Sequence, residues 1–332
     1  MRESVLYSKI LGSLLGGIIG DAMGAPAEKK TYQEIEQEFG EIRDFSGVGT
    51  DDTIIKHILC DAIMHSDGYV TADEWATAFG RHPESYTRWF TPVRNMFCAV
   101  QAKLVLPVYA GMGNQQSSSS AMAITPMGLI NACYPRQAAL ETYDVAGLIH
   151  GATATFCRDA ACAIAAAVAE AMKPDATVES ILAASIRYLH PVSSAEMIDC
   201  IGKALTLARQ EGEYKAFRRV YYETSLRTLA PTVSDSRETV PCCLALVYLA
   251  RGDVRQGILY AANFGRDADT IATMTGSILG AFQGVQAMGG DWAEKAMAGV
   301  AGQEELALAL AGVAYRKAAA AREELALLDR LV

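Results

Sequence analysis

Apolar residues in this chain recur at helical rather than strand spacing. Runs rich in Ala, Leu and Glu over residues 160–172, 180–189, 241–250 and 304–328 predict α-helices. Alternating apolar and polar positions bounded by turns, the mark of strands, are scarce. Breaks are expected at residues 111–120, Lys173-Pro174-Asp175, His190-Pro191, Pro231 and Met288-Gly289-Gly290-Asp291. None reads as a long linker, and no repeat of 20–50 residues is apparent. The pattern predicts a single all-α domain over residues 1–332. Small residues crowd two of the expected helices, 160–169 and 275–284, the latter with Gly276, Gly280, Ala281 and Gly284. At helical spacing they let backbones approach closely, which is a packing feature.

Composition narrows the partners. With 332 residues, 51% of them hydrophobic, the chain can bury a large core. A formal net charge of −9 argues against nucleic acid or an anionic membrane as the main partner. Eight cysteines without a CxxC pair suggest neither a disulfide framework nor a zinc site, so a reducing cytoplasm is expected. Cys60, Cys98 and Cys162 sit in apolar runs and read as small buried hydrophobes. The N-terminus mimics a signal peptide, with Arg2 before an apolar stretch over 10–19. Interrupting glycines, Glu3 and the Asp21 that follows oppose that reading. No run looks long enough to span a membrane.

Chemistry concentrates in two acidic clusters far apart in the chain. Gly49-Thr50-Asp51-Asp52-Thr53 and Gly265-Arg266-Asp267-Ala268-Asp269-Thr270 each place two carboxylates and a hydroxyl at the start of a helix-forming run. Such residues are favoured helix caps, and first-turn acids complement the helix dipole. Each cluster nevertheless holds more acid than one cap requires. Two like charges ~4 Å apart repel by roughly 4 kcal/mol at an effective dielectric of 20. Converging carboxylates therefore raise a pKa or recruit cations, and an all-oxygen set suits Mg²⁺ or Mn²⁺ better than zinc. Spacing alone leaves cap and ligand in balance. A second feature, Gly111-Met112-Gly113-Asn114 followed by Gln115-Gln116-Ser117-Ser118-Ser119-Ser120, offers free backbone N–H groups to a phosphate, or is a flexible linker. It lacks a P-loop lysine.

In this order, these residues resemble the ADP-ribosylglycohydrolase family. Residues 16–28 look like its opening GxxxGDAxGxxxE helix and loop, and Thr50-Asp51-Asp52-Thr53 is its TDDT motif. Residues 121–128 stand where the family has AMRxxPxG after a GNG-type loop. Glu238-Thr239-Val240-Pro241 and residues 263–284 resemble the closing block, normally GGDxDTxAxxxGAxxGA. The resemblance implies a compact orthogonal multi-helix bundle. It also implies two Mg²⁺ (or Mn²⁺) ions held by Thr50, Asp51, Asp52, Asp267, Asp269 and Thr270. On the same ground, Glu28, Asp52 and Asp267 are the expected catalytic residues, Glu28 gating the site or shuttling a proton. Asp21, Gly111, Gly113, Asn114, Ser117, Ser118, His150 and Arg266 are the expected substrate contacts. Asp21 also reads as a buried acid that orients the site, and His150 equally as a core histidine. Arg266, among acids, either pairs with Asp267 or meets a substrate phosphate.

Departures gather around the substrate loops. The arginine of the AMR segment is Ala123, a Ser-rich stretch separates Asn114 from Ala121, and Arg266 and Ala268 alter the closing block. The expected activity is metal-dependent cleavage of a glycosidic bond at C1″ of ADP-ribose carried by a protein or small molecule. A smaller ribosylated metabolite, an inert ADP-ribose-binding protein and a pyrophosphate hydrolase are the rivals. Neither nucleic acid nor membrane is expected as a partner, and oligomeric state is left open.

Overall fold

A central pair of antiparallel helices organises the molecule. The computed structural model describes residues 1–224 and 232–332, so Pro231 lies outside the described residues. Among those described, the structure is α-helices and short 3-10 turns with no strand. Six helices frame the site: α1 (Val5–Gly24), α2 (Asp51–His65), α3 (Thr155–Ala171), α4 (Ser236–Leu249), α5 (Ala268–Gln283) and α6 (Gln303–Leu328). The runs expected at 160–172, 241–250 and 304–328 are α3, α4 and α6, and 180–189 is the helix Val178–Arg187. The fold is all-α.

Helix α1 starts at Ser4, whose hydroxyl accepts the Tyr7 N–H at 3.2 Å. From Ile10 onward it is buried around its whole circumference. Such a helix lacks a solvent face and must pack on all sides. Its glycines recur every fourth residue and meet α5 backbone to backbone: Gly12 against Gly280, Gly16 against Gly276, Gly20 against Ala272, and Gly24 against Ala268. A methyl group at Gly16 would overlap the Gly276 carbonyl, so only glycine fits there. Helices α3, α4 and the helix Val254–Ala262 also pack on α5, while α6 packs on α1.

Two sequence expectations change. Helices over Val5–Ala27 and Ala152–Ala171 are long and apolar enough to cross a membrane, with 89% and 78% of their apolar windows buried. Polar residues such as Lys9 and Asp159 divide these runs in the sequence, but a helix continues through them. The stretch that mimics a signal peptide is α1 itself. Cys98 is exposed, unlike Cys60 and Cys162. Its helix Thr91–Gln101 buries Val93 and Met96, and two residues beyond Met96 the helix faces outward.

Candidate active site

Because α1 and α5 run antiparallel, the C-terminal end of α1 lies beside the N-terminal end of α5. Asp21, on the last turn of α1, fastens the start of α2 to this point. Its carboxylate accepts the Thr50 N–H at 2.8 and 2.9 Å, the Thr53 N–H at 2.9 Å and the Thr53 hydroxyl at 2.5 Å. Asp21 is wholly buried and absent from the cavity wall, so its place is behind the site rather than against a substrate. Thr50 is the N-cap of α2 and accepts the Asp52 N–H at 3.3 Å; it too is off the cavity wall. The loop after α1 is clamped by two backbone bonds, Lys29 N–H to Arg266 O and Arg266 N–H to Lys30 O, both 2.7 Å. This clamp holds Glu28 over the start of α5.

The two remote clusters meet at one cavity of about 350 Å³, lined by Glu28, Asp51, Asp52, Asp267, Asp269 and Thr270. Oxygens of Glu28, Asp267 and Asp269 lie within 4.8 Å of one another. Asp267 occupies the N-cap position of α5 without capping it; instead it accepts the Ser118 hydroxyl at 2.8 Å. Asp51 accepts the Phe90 N–H at 2.9 Å. Asp52 Oδ1 is buried without a hydrogen-bond partner. Burial, opposed by the Phe90 bond, pushes Asp51 up to about 6. Burial likewise raises Asp267 to about 7. Asp52 and Asp269 are pushed well above the carboxylate range by burial first, then by Asp269 and Asp267 respectively.

The Ser-rich run is neither a linker nor an open loop. Ser117, Ser118, Ser119 and Ser120 are all buried. His150 joins them, its Nε2 3.1 Å from the Ser117 hydroxyl and its Nδ1 2.6 Å from that of Ser120. Burial drives the His150 pKa down to about 3, so the ring is neutral. Among these, Ser118 and Ser119 reach the cavity, whereas Ser117 and His150 buttress them from behind. Gly111, Gly113 and Asn114 also lie off the cavity wall. Asn114 donates to Pro92 O and Ile149 O at 2.7 and 2.9 Å, Gly113 N–H donates to the Thr153 hydroxyl at 3.0 Å, and Gly111 abuts Gly147 and Gly151. Their observed work is tying loops together.

Arg266 pairs with neither Asp267 nor the cavity. Its guanidinium forks onto the buried Glu238 at 2.8 and 2.7 Å. Its φ of 62° is the left-handed conformation that the family's glycine would adopt without strain. Residues that sequence reasoning missed include Lys29, Phe90, Ser119, Met122 and the 232–234 segment, all on the cavity wall. Lys29 reaches Glu28 at 2.8 Å and feels Asp269 and Asp267 as well. Also missed is Lys56 on α2, wholly buried with its ammonium unpartnered, filling the space above Gly17 beside the Ser277 hydroxyl. A lysine inside the apolar run 54–63 was the available signal.

The ADP-ribosylglycohydrolase family model matches residues 2–321. The chain belongs to the ADP-ribosylglycohydrolase family. Membership supports a glycosyl hydrolase. Its curated relatives include an uncharacterized protein, YegU, of Escherichia coli K12, 27% identical over 84% of this chain and 89% of that one. Another, from Archaeoglobus fulgidus and likewise uncharacterized, is 26% identical over 83% and 88%. A solved structure described as an ADP-ribosylglycohydrolase-related protein complex superposes with a TM-score of 0.67 at 22% identity. That match covers 93% of this chain and 99% of that one, and it supports the all-α fold.

As a member of this family, the chain offers a donor set that fits hard divalent cations. Five carboxylates face one cavity, a buried Asp52 oxygen lacks a partner, and the Thr270 hydroxyl lies on the same wall.

Proposed function

We propose that this protein is a divalent-metal-dependent glycohydrolase acting at the C1″ glycosidic bond of an ADP-ribosyl or related ribosyl compound. The convergence of Asp51 and Asp52 with Asp267 and Asp269 carries the reading, since family members share the motifs from which these residues come. Asp51, Asp52, Asp267, Asp269 and Thr270 would hold Mg²⁺ or Mn²⁺, with Thr50 bracing Asp52. When bound, such ions orient ribose hydroxyls and make a water nucleophilic near neutral pH. Glu28, half-buried on a clamped loop and paired with Lys29 at 2.8 Å, would be the carboxylate placed to take up a proton at the site. Ser118 steadies Asp267, and Phe90 and Met122 give the sugar an apolar wall.

Cavity size favours a small substrate portion. About 350 Å³ is at the low end for ligand pockets. Lys29 is the single cation among the described residues lining it. The family arginine is replaced by the buried Ala123, and Arg266 is held by Glu238. These observations favour a smaller ribosylated metabolite as the second reading. Turnover of ADP-ribosyl-arginine, ADP-ribosyl-serine and simple ribosides with Mg²⁺, with products identified, separates the two. Asp269→Asn is expected to lower turnover at least ~100-fold; full activity in that variant, or in chelator, would overturn the metal role.

A further inference from the structure

Behind the acidic cavity, three helices carry polar side chains inward at four-residue spacing. From the acids at the helix ends, Asp21 on α1 is followed by Gly17 and Ser13, Asp52 on α2 by Lys56, and Asp269 on α5 by Thr273 and Ser277. Residues four apart share one face of a helix. The Lys56 ammonium and the Ser277 hydroxyl lie 2.2 and 2.5 Å from the point that a Gly17 Cβ would take, so the three faces meet there. Lys56 Nζ and the hydroxyls of Ser13, Thr273 and Ser277 are buried, and none has a hydrogen-bond partner among the described residues. Thr275, between the last two, instead turns its hydroxyl back onto Ile271 O at 2.8 Å, an ordinary choice inside a helix.

The surrounding charges decide what these groups can meet. Asp21 Oδ2 accepts from the Thr50 N–H, the Thr53 N–H and the Thr53 hydroxyl, whereas Oδ1 accepts only from the Thr50 N–H. All of these donors are neutral, and Oδ1 keeps a lone pair in reserve. Burial lowers the Lys56 pKa, and Asp21 is the first group to oppose that fall, ahead of Cys60 and Asp52. Yet the Lys56 ammonium makes no direct contact with Asp21. A lone buried charge is costly, and buried polar groups are met by protein or by ordered water. Asp21 and Asp52 disfavour an anion here and the ammonium disfavours a cation, which leaves neutral water.

We propose that ordered water links the Lys56 ammonium to Asp21, held in place by the hydroxyls of Ser13, Thr273 and Ser277, and that this bridged ion pair locks the start of α2 against α1. Thr50 and Thr53, which Asp21 grips, flank Asp51 and Asp52 in the chain. The pair therefore supports the cavity from behind. It stands apart from the proposed activity, because every group in it belongs to the cation-free chain.

High-resolution crystallography of the parent chain in chelator tests the bridge directly. Ordered water within hydrogen-bonding distance of Lys56 Nζ and of at least one of the three hydroxyls is expected. Lys56 bonded straight to Asp21, or no ordered water beside it, would overturn the proposal. In solution, Lys56→Met and Asp21→Asn each leave one buried charge alone and should each lower the Tm in chelator by about 5 °C or more. The double variant leaves neither, so its loss should be smaller than the two single losses together. Losses that simply add would sink the pairing. Lys56→Met should also speed hydrogen exchange of the Thr50 and Thr53 N–H groups at least tenfold relative to amides of α6; unchanged relative rates there would remove the lock.

Discussion

The contact between α1 and α5 has two parts with opposite chemistry. Along Gly12–Gly280, Gly16–Gly276 and Gly20–Ala272 it is a dry seam of backbone on backbone. One turn further, where Glu28 and Asp52 join Asp267 and Asp269, it opens into a cluster of carboxylates with too few donors. The seam has close packing and no charge, whereas the mouth has charge and incomplete pairing. Tight packing in the first part is what lets the second hold like charges in place, because the helix ends cannot splay apart to relieve them. The part with no chemistry fixes the geometry of the part that has it.

Substitutions should therefore act with opposite sign on the two parts. The largest effect is expected for Gly16→Val, which drives a branched side chain into the Gly276 carbonyl. It should destabilise by about 3 kcal/mol or prevent folding, read by urea denaturation. At the mouth, Asp269→Asn removes repulsion from Asp267 and should stabilise the metal-free chain by about 1 kcal/mol while turnover collapses. A metal-free Asp269→Asn variant less stable than the parent would break the contrast.

The pH dependence sharpens it further. Asp51 at about 6 and Asp267 at about 7, with Asp52 and Asp269 also raised, stand above the ordinary value of about 3.9 for an unfolded aspartate. Between those values the folded chain binds more protons than the unfolded one. The stabilising contribution is complete below pH ~4 and falls as pH rises through about 6 to 7. Thermal melts in chelator should show that decline, and Mg²⁺ should reverse it by binding the folded form alone. The smallest expected effect is Ser118→Ala, which removes one hydrogen bond from Asp267. Near pH 7 it should lower activity about tenfold or less and shift the acidic limb of the pH profile upward.

Much of this was legible beforehand. Helix periodicity located α3, α4 and α6, and the glycines at 276 and 280 announced close packing. The acid clusters stood out because each exceeded the needs of a cap. Less legible was which neighbour a polar residue would choose. Arg266 beside Asp267 in sequence pairs with Glu238, and a serine run that reads as a phosphate cradle or a linker is buried around His150. Cys98 looked buried until the helix phase turned it outward. Partner choice for these groups depends on elements that share no local sequence.

What the chain determined by itself was its helices, its glycine spacing and its inventory of oxygen donors, since these follow from local propensity and residue type. Only the tertiary structure decided which donors share a cavity and which serve as braces. Asp21 and Asp52 are both buried acids near the same helix start, yet one is saturated by N–H and hydroxyl donors and the other keeps a bare oxygen. That difference is set by where the ends of α1, α2 and α5 meet. Electrostatic energy depends on distances and burial, and no position along a chain carries those.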